Sequence, residues 1–347
     1  MTRPTVMLFA EVELELTGYA AIGAPESDEG RRGGVRPIAR TGWGAEGDRD
    51  PWAPPTSLAG SFRAHLTDDL GGEGVGALMG EAFGVSAPAG TPGAGAPTDT
   101  AGSDADDDTG DDAGGRPSKV FFLGTELRLP EDKGIVVRGQ TAIDPHRAAA
   151  KETMLRRREY LPPGTRLLCR VRVDGEEHHE RILDALTTWQ PIIGGSRSTG
   201  HGGTRTLTVR HTTIDLNTPD GRRRWLLQGG PALFAGGEIR SPRPKRAEPA
   251  ILFGWEIEEA LHIGGTDPSL PVMATAPEPA PGAEGRSSKP ARLLRDEEDR
   301  PYIPGSTWKG ILRGRCAYIL RSLGLFDCEE ESHCGSCDLC AAFGWVG

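Results

Sequence analysis

The sequence predicts an α+β protein built from two copies of one small sheet-and-helix module. Short segments in which apolar and polar residues alternate predict strands, and segments with apolar residues three or four positions apart predict helices. One turn-and-helix motif also occurs twice, with similar landmarks before and after it. Repetition of several landmarks in one order indicates that a single structural unit was used twice.

The C-terminal copy of the motif, residues 301–313, reads as a turn that leads directly into a helix. Pro304 and Gly305 form a turn dipeptide. A hydroxyl from Ser306 or Thr307 is predicted to cap the helix, whose apolar residues recur at helical spacing from 308 to 323. Cations in the first turns of a helix oppose its dipole, so their presence favours a bound anion at this helix start. A solvated basic face is the alternative.

The N-terminal copy, residues 54–63, repeats the turn, the hydroxyl pair, the glycine and the arginine. A short apolar segment that includes glycine precedes each copy, at residues 20–24 and 261–265, and Ala-Phe-Gly follows each, at 82–84 and 342–344. The matched positions are Thr56 with Ser306, Gly60 with Gly310, and Arg63 with Arg313.

The strands and helices predicted for the first module follow the order β-α-β-β-α-β, which is that of ferredoxin-like folds. Strands are expected at 6–16, 120–129, 165–173 and 206–214, and helices at 56–70 and 180–189. Residues 19–51 are expected to form a long loop and residues 135–163 an exposed hairpin. Residues 219–249 read as an irregular basic linker, and a second module begins with a strand at 250–263.

Charge is distributed unevenly along the chain, although the net charge is −10. Residues 85–118 contain seven aspartates and one arginine in a Gly-, Ala- and Pro-rich segment, and we expect this acidic insert to be disordered. Residues 138–172 contain nine lysines or arginines and three acids. A local basic block of this kind is typical of phosphate binding, with a solvated charged face as the alternative.

A glycine-rich loop, residues 192–205, contains five glycines, two arginines, one histidine and no acid. Glycines allow a backbone to approach phosphates closely. The loop lacks the Gly-Lys-Ser/Thr ending of a Walker motif. It also leaves a helix and enters a strand, which is the wrong order for a dinucleotide fingerprint. A purely structural turn is the alternative.

Four cysteines, spaced C-x5-C-x2-C-x2-C within residues 328–340, predict a metal site: Cys328, Cys334, Cys337 and Cys340. Four thiolates suit a structural, tetrahedral Zn²⁺, with His333 as a substitute ligand and an iron–sulfur cluster as the rival. Cys169 and Cys316 are expected to be buried apolar residues.

The length of 347 residues allows two domains, and the 49 glycines and 28 prolines suggest folded modules interrupted by inserts. No apolar run approaches the length of a membrane span, and the N-terminus lacks the apolar region of a signal peptide. We therefore expect a cytoplasmic protein without a membrane partner.

Taken together, the repeated motif, the glycine-rich loop and the cysteine cluster resemble the RAMP superfamily of CRISPR-associated proteins, most of all the backbone subunits of type III effector complexes. The resemblance implies tandem RNA-recognition-like modules, residues 1–218 and 250–347, that bind the phosphates of a guide RNA (crRNA). It also implies a thumb-like hairpin at 138–160, a zinc knuckle at 328–340, and target RNA and other effector subunits as partners.

The RNA-binding residues implied by the resemblance come from the two motif copies, the hairpin and the glycine-rich loop. They are Thr56, Ser57, Arg63, Arg156, Arg157, Gly194, Gly195, Arg197, Gly200, His201, Arg205, His262, Ser306, Thr307, Lys309 and Arg313.

Two departures from the family pattern shape the functional prediction. Type III backbone subunits carry a catalytic aspartate just upstream of a proline in the long loop. The matching positions here are Val35 or Arg36 before Pro37, and Ser288 or Lys289 before Pro290, and none of them is a carboxylate. A shifted alignment could recruit Asp28 or Asp296. The second module also has no counterpart of residues 120–216, which implies either a longer protein or a partner that completes the sheet.

We therefore expect a guide-RNA-binding subunit that is non-catalytic or weakly catalytic. A metal-dependent endoribonuclease and a zinc-containing assembly scaffold without RNA of its own are the two alternatives.

Overall fold

The computed structural model describes residues 5–23, 35–41, 50–79, 118–140, 143–144, 149–150, 156–244, 252, 254–264, 293–296, 299–325, 335 and 337–344. The strands are β1 (Val6–Leu16), β2 (Val35–Arg36), β3 (Val120–Arg128), β4 (Val136–Gln140), β5 (Ile143–Asp144), β6 (Ala149–Ala150), β7 (Arg156–Tyr160), β8 (Arg166–Asp174), β9 (Thr204–Asp215) and β10 (Glu238–Arg240). The helices are α1 (Pro55–Met79), α2 (His179–Thr188), α3 (Pro219–Leu227), α4 (Gly305–Ser322) and α5 (Asp338–Phe343).

Five strands form one antiparallel sheet in the spatial order β10-β9-β1-β8-β3. This confirms the predicted α+β class. Along the chain, β1, α1, β3, β8, α2 and β9 follow in the β-α-β-β-α-β order that the sequence predicts. Within the described part of the second module, no named strand accompanies α4 and α5.

The central strand β1 explains why helices α1 and α2 pack on one face of the sheet. Its apolar side chains Leu8, Val12 and Leu14 all point to the same side and are at most 1% exposed. Alternation along a strand sends successive side chains to opposite faces, so the intervening glutamates lie on the other side. Burial of the apolar side drives the sheet against the helices.

Helices α1 and α2 cover this apolar side. Helix α1 contributes Leu58, Phe62 and Leu66, spaced four residues apart and therefore on one face, and each is at most 1% exposed. The ring of Phe62 lies 5.2 Å from the ring of Trp189, which is 1% exposed. Helix α2 buries Ile182, Leu183 and Leu186 against the same core, as its periodicity predicts.

The opposite face of the sheet carries a network of ion pairs. Glu11 on β1 contacts Arg170 on β8 at 3.1 Å and Arg210 on β9 at 3.4 Å. Glu15 contacts Arg205 on β9 at 2.6 Å. Because acids of the central strand pair with arginines of both neighbours, this face largely neutralises its own charge.

The prediction for residues 219–249 needs correction. The linker expected to be irregular at 219–249 contains α3 and β10 in its described part, and β10 extends the sheet by pairing with β9. The Thr218 side chain accepts a hydrogen bond from the Gly221 backbone N–H, and Pro219 follows the cap, so the helix has a clear start signal that the basic composition obscured.

The strand expected at 250–263 is not formed in its described residues, where Trp255, Ile257 and Leu261 are about half exposed and no named strand pairs with them. Helix α1 extends to Met79, beyond the predicted end at 70. The acidic insert 85–118 lies outside the described residues except for Ser118.

The region expected to be an exposed hairpin contains an antiparallel pair, β4 with β7, and a second short pair, β5 with β6. Strand β7 also pairs in parallel with β2. The role of this hairpin as a thumb stays a prediction. None of the helices in the described ranges is long and apolar enough to cross a membrane.

Candidate nucleic-acid interface

The two copies of the sequence motif share backbone contacts as well as residues. In each copy the chain forms two isolated antiparallel bridges before its helix, and the second bridge ends four residues before the helix starts. The bridges are Gly23 with Ile38 and Arg40 with Pro51 in the first copy, and Gly264 with Leu293 and Arg295 with Pro301 in the second. Thr56 and Ser306 are consequently both second residues of their helices.

One detail of the helix start differs from the prediction. Helix α4 begins at Gly305 with Pro304 as its cap residue, and no side chain makes a capping hydrogen bond. Ser306 and Thr307 therefore lie inside the first turn and do not precede it. The cap prediction is wrong because the rigid Pro304 already supplies the extended backbone that a cap residue needs.

The glycine-rich loop is fastened to the segment that follows β1. Gly195 donates its backbone N–H to the Ala21 carbonyl at 2.8 Å, and Gly202 donates to the Tyr19 carbonyl at 2.7 Å. Gly194 has a φ of +79°, and a Cβ there would lie 2.4 Å from the Ala21 carbonyl oxygen. Glycine is required at this position both for the left-handed backbone and for the close approach.

Helix α4 of the second motif begins directly against this loop. A Cβ added to Gly305 would lie 2.5 Å from the Thr199 carbonyl oxygen, so the helix start and the loop are in close contact. The Lys309 Nζ donates a hydrogen bond to the Ser198 Oγ at 2.7 Å. The contact brings the first turn of a long helix, whose N–H groups favour anions, beside a glycine-rich loop that carries Arg197.

A cluster of aromatic rings and arginines lies where the hairpin joins the loop. The Arg138 guanidinium lies 3.5 Å above the centre of the Tyr19 ring and hydrogen-bonds the Tyr302 hydroxyl. The Tyr160 ring lies 5.1 Å from the His201 ring. Through Arg138 the hairpin contacts both the segment after β1 and the second motif. Sequence reasoning missed these three tyrosines because their common location depends on distant pairings.

His201 contributes a ring to this cluster and not a charge at neutral pH. Burial, followed by the nearby Arg138 charge, lowers the pKa of His201 below its ordinary value. The Thr199 hydroxyl lies 3.1 Å from the His201 Nδ1.

The structure brings together about half of the predicted RNA-binding residues. The loop and the α4 start hold Gly194, Gly195, Arg197, Gly200, His201, Ser306, Thr307 and Lys309. Arg156 and Arg157 are exposed on β7 of the hairpin, whose neighbouring Arg158 lies against Gly195.

The other predicted residues lie elsewhere. Thr56, Ser57 and Arg63 are on α1, which packs on β3. Arg205 is ion-paired with Glu15 on the ion-paired face of the sheet, opposite α1 and α2. His262 is exposed and lies two residues before Gly264, which forms a bridge with Leu293. Arg313 contacts the C-terminal cap of α5.

Of the two candidate nuclease residues, the described Asp296 takes part in a local turn. The Asp296 carboxylate accepts hydrogen bonds from the Arg300 backbone N–H at 2.8 Å and from the Arg300 Nε at 2.9 Å. These contacts close the turn between Arg295 and Pro301. Asp28 lies outside the described residues.

Two of the four predicted metal ligands lie within the described residues, and the metal site stays a prediction. Cys337 caps α5, and its Sγ accepts a hydrogen bond from the Cys340 backbone N–H at 3.4 Å. Cys340 is 1% exposed. Both cysteines therefore lie at the first turn of α5. Cys328 and Cys334 lie outside the described residues, among which no group of three or more ligating side chains occurs.

The two remaining cysteines differ from each other. Burial raises the pKa of the Cys169 thiol to about 12, so it behaves as a small apolar core residue, as predicted. Cys316 is only half-buried on α4.

Comparison with known families identifies the second motif. Residues 256–344, which span the second motif, α4 and α5, match the model of the RAMP superfamily. The match confirms, for this part of the chain, the resemblance predicted from the sequence.

Among solved structures, the chain is similar to one in a cryo-EM structure of the type III-B Cmr-beta complex bound to cognate target RNA. That likeness has 14% sequence identity and a TM-score of 0.40, and it covers 60% of this chain and 61% of the other. A comparison with curated proteins finds no match.

Proposed function

We propose that this chain is a guide-RNA (crRNA)-binding backbone subunit of a type III-like CRISPR antiviral effector complex. It holds RNA without cleaving it, and its partners are crRNA, target RNA and other effector subunits in the cytoplasm. The RAMP superfamily match of residues 256–344 supports the class of protein. We also propose that both modules have a ferredoxin-like fold and that the complex is of type III.

The contact between α4 and the glycine-rich loop is the observation that carries the proposal. Lys309 reaches Ser198, and Gly305 lies against Thr199, so that a helix start and a loop from two distant parts of the chain form one surface. The surface offers backbone N–H groups, the Lys309 and Arg197 cations, and aromatic rings nearby. Phosphates and unstacked bases of single-stranded RNA bind groups of these kinds.

The ion-paired face of the sheet is a poorer RNA site by the same reasoning. Arg170 and Arg210 are paired with Glu11 there, so phosphates would have to compete with carboxylates already in contact. RNA is therefore expected along the side of the module that bears the loop and the hairpin.

A structural Zn²⁺ held by Cys328, Cys334, Cys337 and Cys340 is part of this proposal. The ion would fix the segment that follows α4, and four protein ligands would leave no position open for catalysis. The capping contact between Cys337 and Cys340 supports this ligand pair.

Salt-dependent RNA binding tests the proposed function. Binding of a labelled single-stranded RNA is measured by fluorescence anisotropy across about 50–200 mM salt. Lys309→Ala should weaken binding and reduce the slope of log affinity against log salt by roughly 0.7, the value for one phosphate contact of a single strand. Arg181→Ala is the matched control, because Arg181 is an exposed cation in the first turn of α2, whereas the loop follows the end of that helix.

Three results would contradict the proposal: no salt-dependent RNA binding, an equal effect of both substitutions, or the absence of bound small RNA from protein purified with its host's CRISPR components. Divalent-ion-dependent cleavage of RNA complementary to the guide, lost in Asp28→Ala or Asp296→Ala, would instead support the nuclease alternative.

A further inference from the structure

The guanidinium of Arg313 contacts a second helix of the chain. Its Nη1 donates to the Gly344 carbonyl oxygen at 2.8 Å, and its Nη2 lies 3.5 Å from the Cys340 Sγ. Both acceptors belong to α5 and its C-terminal cap, four residues apart. One side chain of α4 therefore contacts α5 at two points.

The chemistry of both contacts suits arginine. The planar fork of a guanidinium presents several N–H donors in a fixed geometry, whereas the ammonium of lysine is a single point charge. The Gly344 carbonyl lies at the C-terminus of α5, where the helix dipole favours a cation. Gly344 has a φ of +78°, a backbone conformation that side chains disfavour.

These contacts continue towards the candidate RNA surface. Lys309 and Arg313 are four residues apart on α4 and therefore share one face of the helix. A Cβ added to Gly344 would lie 4.0 Å from the Lys309 Nζ, so the end of α5 lies beside the Lys309 ammonium. The same ammonium donates to Ser198 in the glycine-rich loop. The cysteine-bearing helix, α4 and the loop thus form one continuous series of contacts.

We propose that Arg313 is a positioning residue that fastens α5 to α4 and thereby holds Lys309 at the glycine-rich loop. The sequence resemblance implies instead that Arg313 binds RNA directly. In the proposed role, Arg313 couples the order of the cysteine segment to RNA affinity without itself contacting a phosphate. The effect on RNA rests on the proposed RNA-binding function, whereas the effect on α5 does not.

The two roles predict different salt dependences. A residue that binds a phosphate contributes to counterion release, so its loss reduces the slope of log affinity against log salt. A residue that only positions the surface changes the fraction of molecules competent to bind. Its loss lowers the affinity by the same factor at every salt concentration and leaves the slope unchanged.

The experiment compares Arg313→Ala, Arg313→Lys and the control Arg315→Ala in the full chain. Arg315 is an exposed cation on the same helix, and its guanidinium lies near Tyr318. Amide hydrogen exchange of residues 338–344 is measured without RNA, and the affinity for single-stranded RNA is measured over a range of salt. Exchange in β1 shows whether each variant remains folded.

Arg313→Ala and Arg313→Lys should both accelerate exchange in residues 338–344 by about tenfold, because each loses a charge-assisted contact. Both should lower RNA affinity with the slope unchanged, and Arg315→Ala should leave exchange at wild-type rates. Unchanged exchange in Arg313→Ala would overturn the proposal, as would a slope reduced by roughly 0.7 in that variant and restored in Arg313→Lys. If the wild type bound no RNA, the proposed function would fail, and exchange alone would decide whether Arg313 fastens α5.

Discussion

Replacing single glycines in the glycine-rich loop by alanine should show which glycines are required by close packing and which only by their left-handed backbone. Gly194 and Gly200 have similar backbones, with φ values of +79° and +85°. They differ in what an added Cβ would meet. At Gly194 the Cβ would lie 2.4 Å from the Ala21 carbonyl oxygen, whereas at Gly200 no atom lies within 4 Å.

The expected magnitudes follow from this difference. Alanine in a left-handed conformation costs roughly 1 kcal/mol, which both variants share. Gly194→Ala must also displace the backbone that carries the Gly195 to Ala21 hydrogen bond. Loss of that bond, with a carbonyl left unsatisfied, adds about 2 kcal/mol. We therefore expect about 1 kcal/mol of destabilisation for Gly200→Ala and about 3 kcal/mol for Gly194→Ala.

Thermal unfolding followed by circular dichroism measures these effects. For a domain of this size, the melting temperature should fall by about 2–4 °C in Gly200→Ala and by about 6–12 °C in Gly194→Ala. RNA affinity at constant salt should fall mainly in Gly194→Ala, because that variant moves the loop away from Lys309. Equal melting temperatures for the two variants would refute the close packing of the loop on the segment after β1.

Three further predictions concern the core and the titrating groups. Phe62→Ala should destabilise the protein by about 3–5 kcal/mol in chemical denaturation. Leu312 occupies the equivalent position in the second copy of the motif and is 46% exposed, so Leu312→Ala should cost less than about 1 kcal/mol. Equal costs would contradict the observed difference in burial. Because burial lowers the pKa of His201, the free energy of unfolding should decline as pH falls below about 6.5. His201→Gln should flatten that decline. An unchanged pH profile in this variant would argue against a buried neutral ring. Cys169, with its pKa raised to about 12, should resist alkylation at about pH 8 until the protein unfolds. The half-buried Cys316 should react before it. Rapid labelling of Cys169 in the folded protein would contradict its burial.

Local patterns were sufficient to predict most of the first module. The alternation in β1 and the helical spacing in α2 directly encode which side of each element is buried, so their bounds were predicted to within a residue or two. The segment at 219–249 was misjudged because its arginines dominate the composition. The start of α3 depends on a short cap signal at Thr218 and Pro219. The pairing of β10 with β9 involves only three residues of β10. Signals this short are hidden by the basic composition of the segment.

The second motif shows the limit of pattern reasoning most clearly. Helix α4 has the apolar spacing of α1, yet Ile311, Leu312 and Ile319 are about half exposed, whereas the corresponding side of α1 is buried. Periodicity states which residues can share a face, but it does not state what covers that face. The strand expected at 250–263 was wrong for the same reason, because a strand requires a paired neighbour.

The amino-acid sequence alone determined the α+β class, the duplicated motif, the basic and acidic segments and the cysteine spacing. Each of these features depends only on residues that are close together in the sequence. Only the tertiary structure decided that α4 lies against the glycine-rich loop, that Arg138 joins Tyr19 to Tyr302, and that Arg313 contacts α5. The first two of these contacts join residues more than a hundred positions apart, and all of them depend on how the sheet closes and where each loop leaves it. That geometry is a property of the whole packed chain, and no local spacing records it.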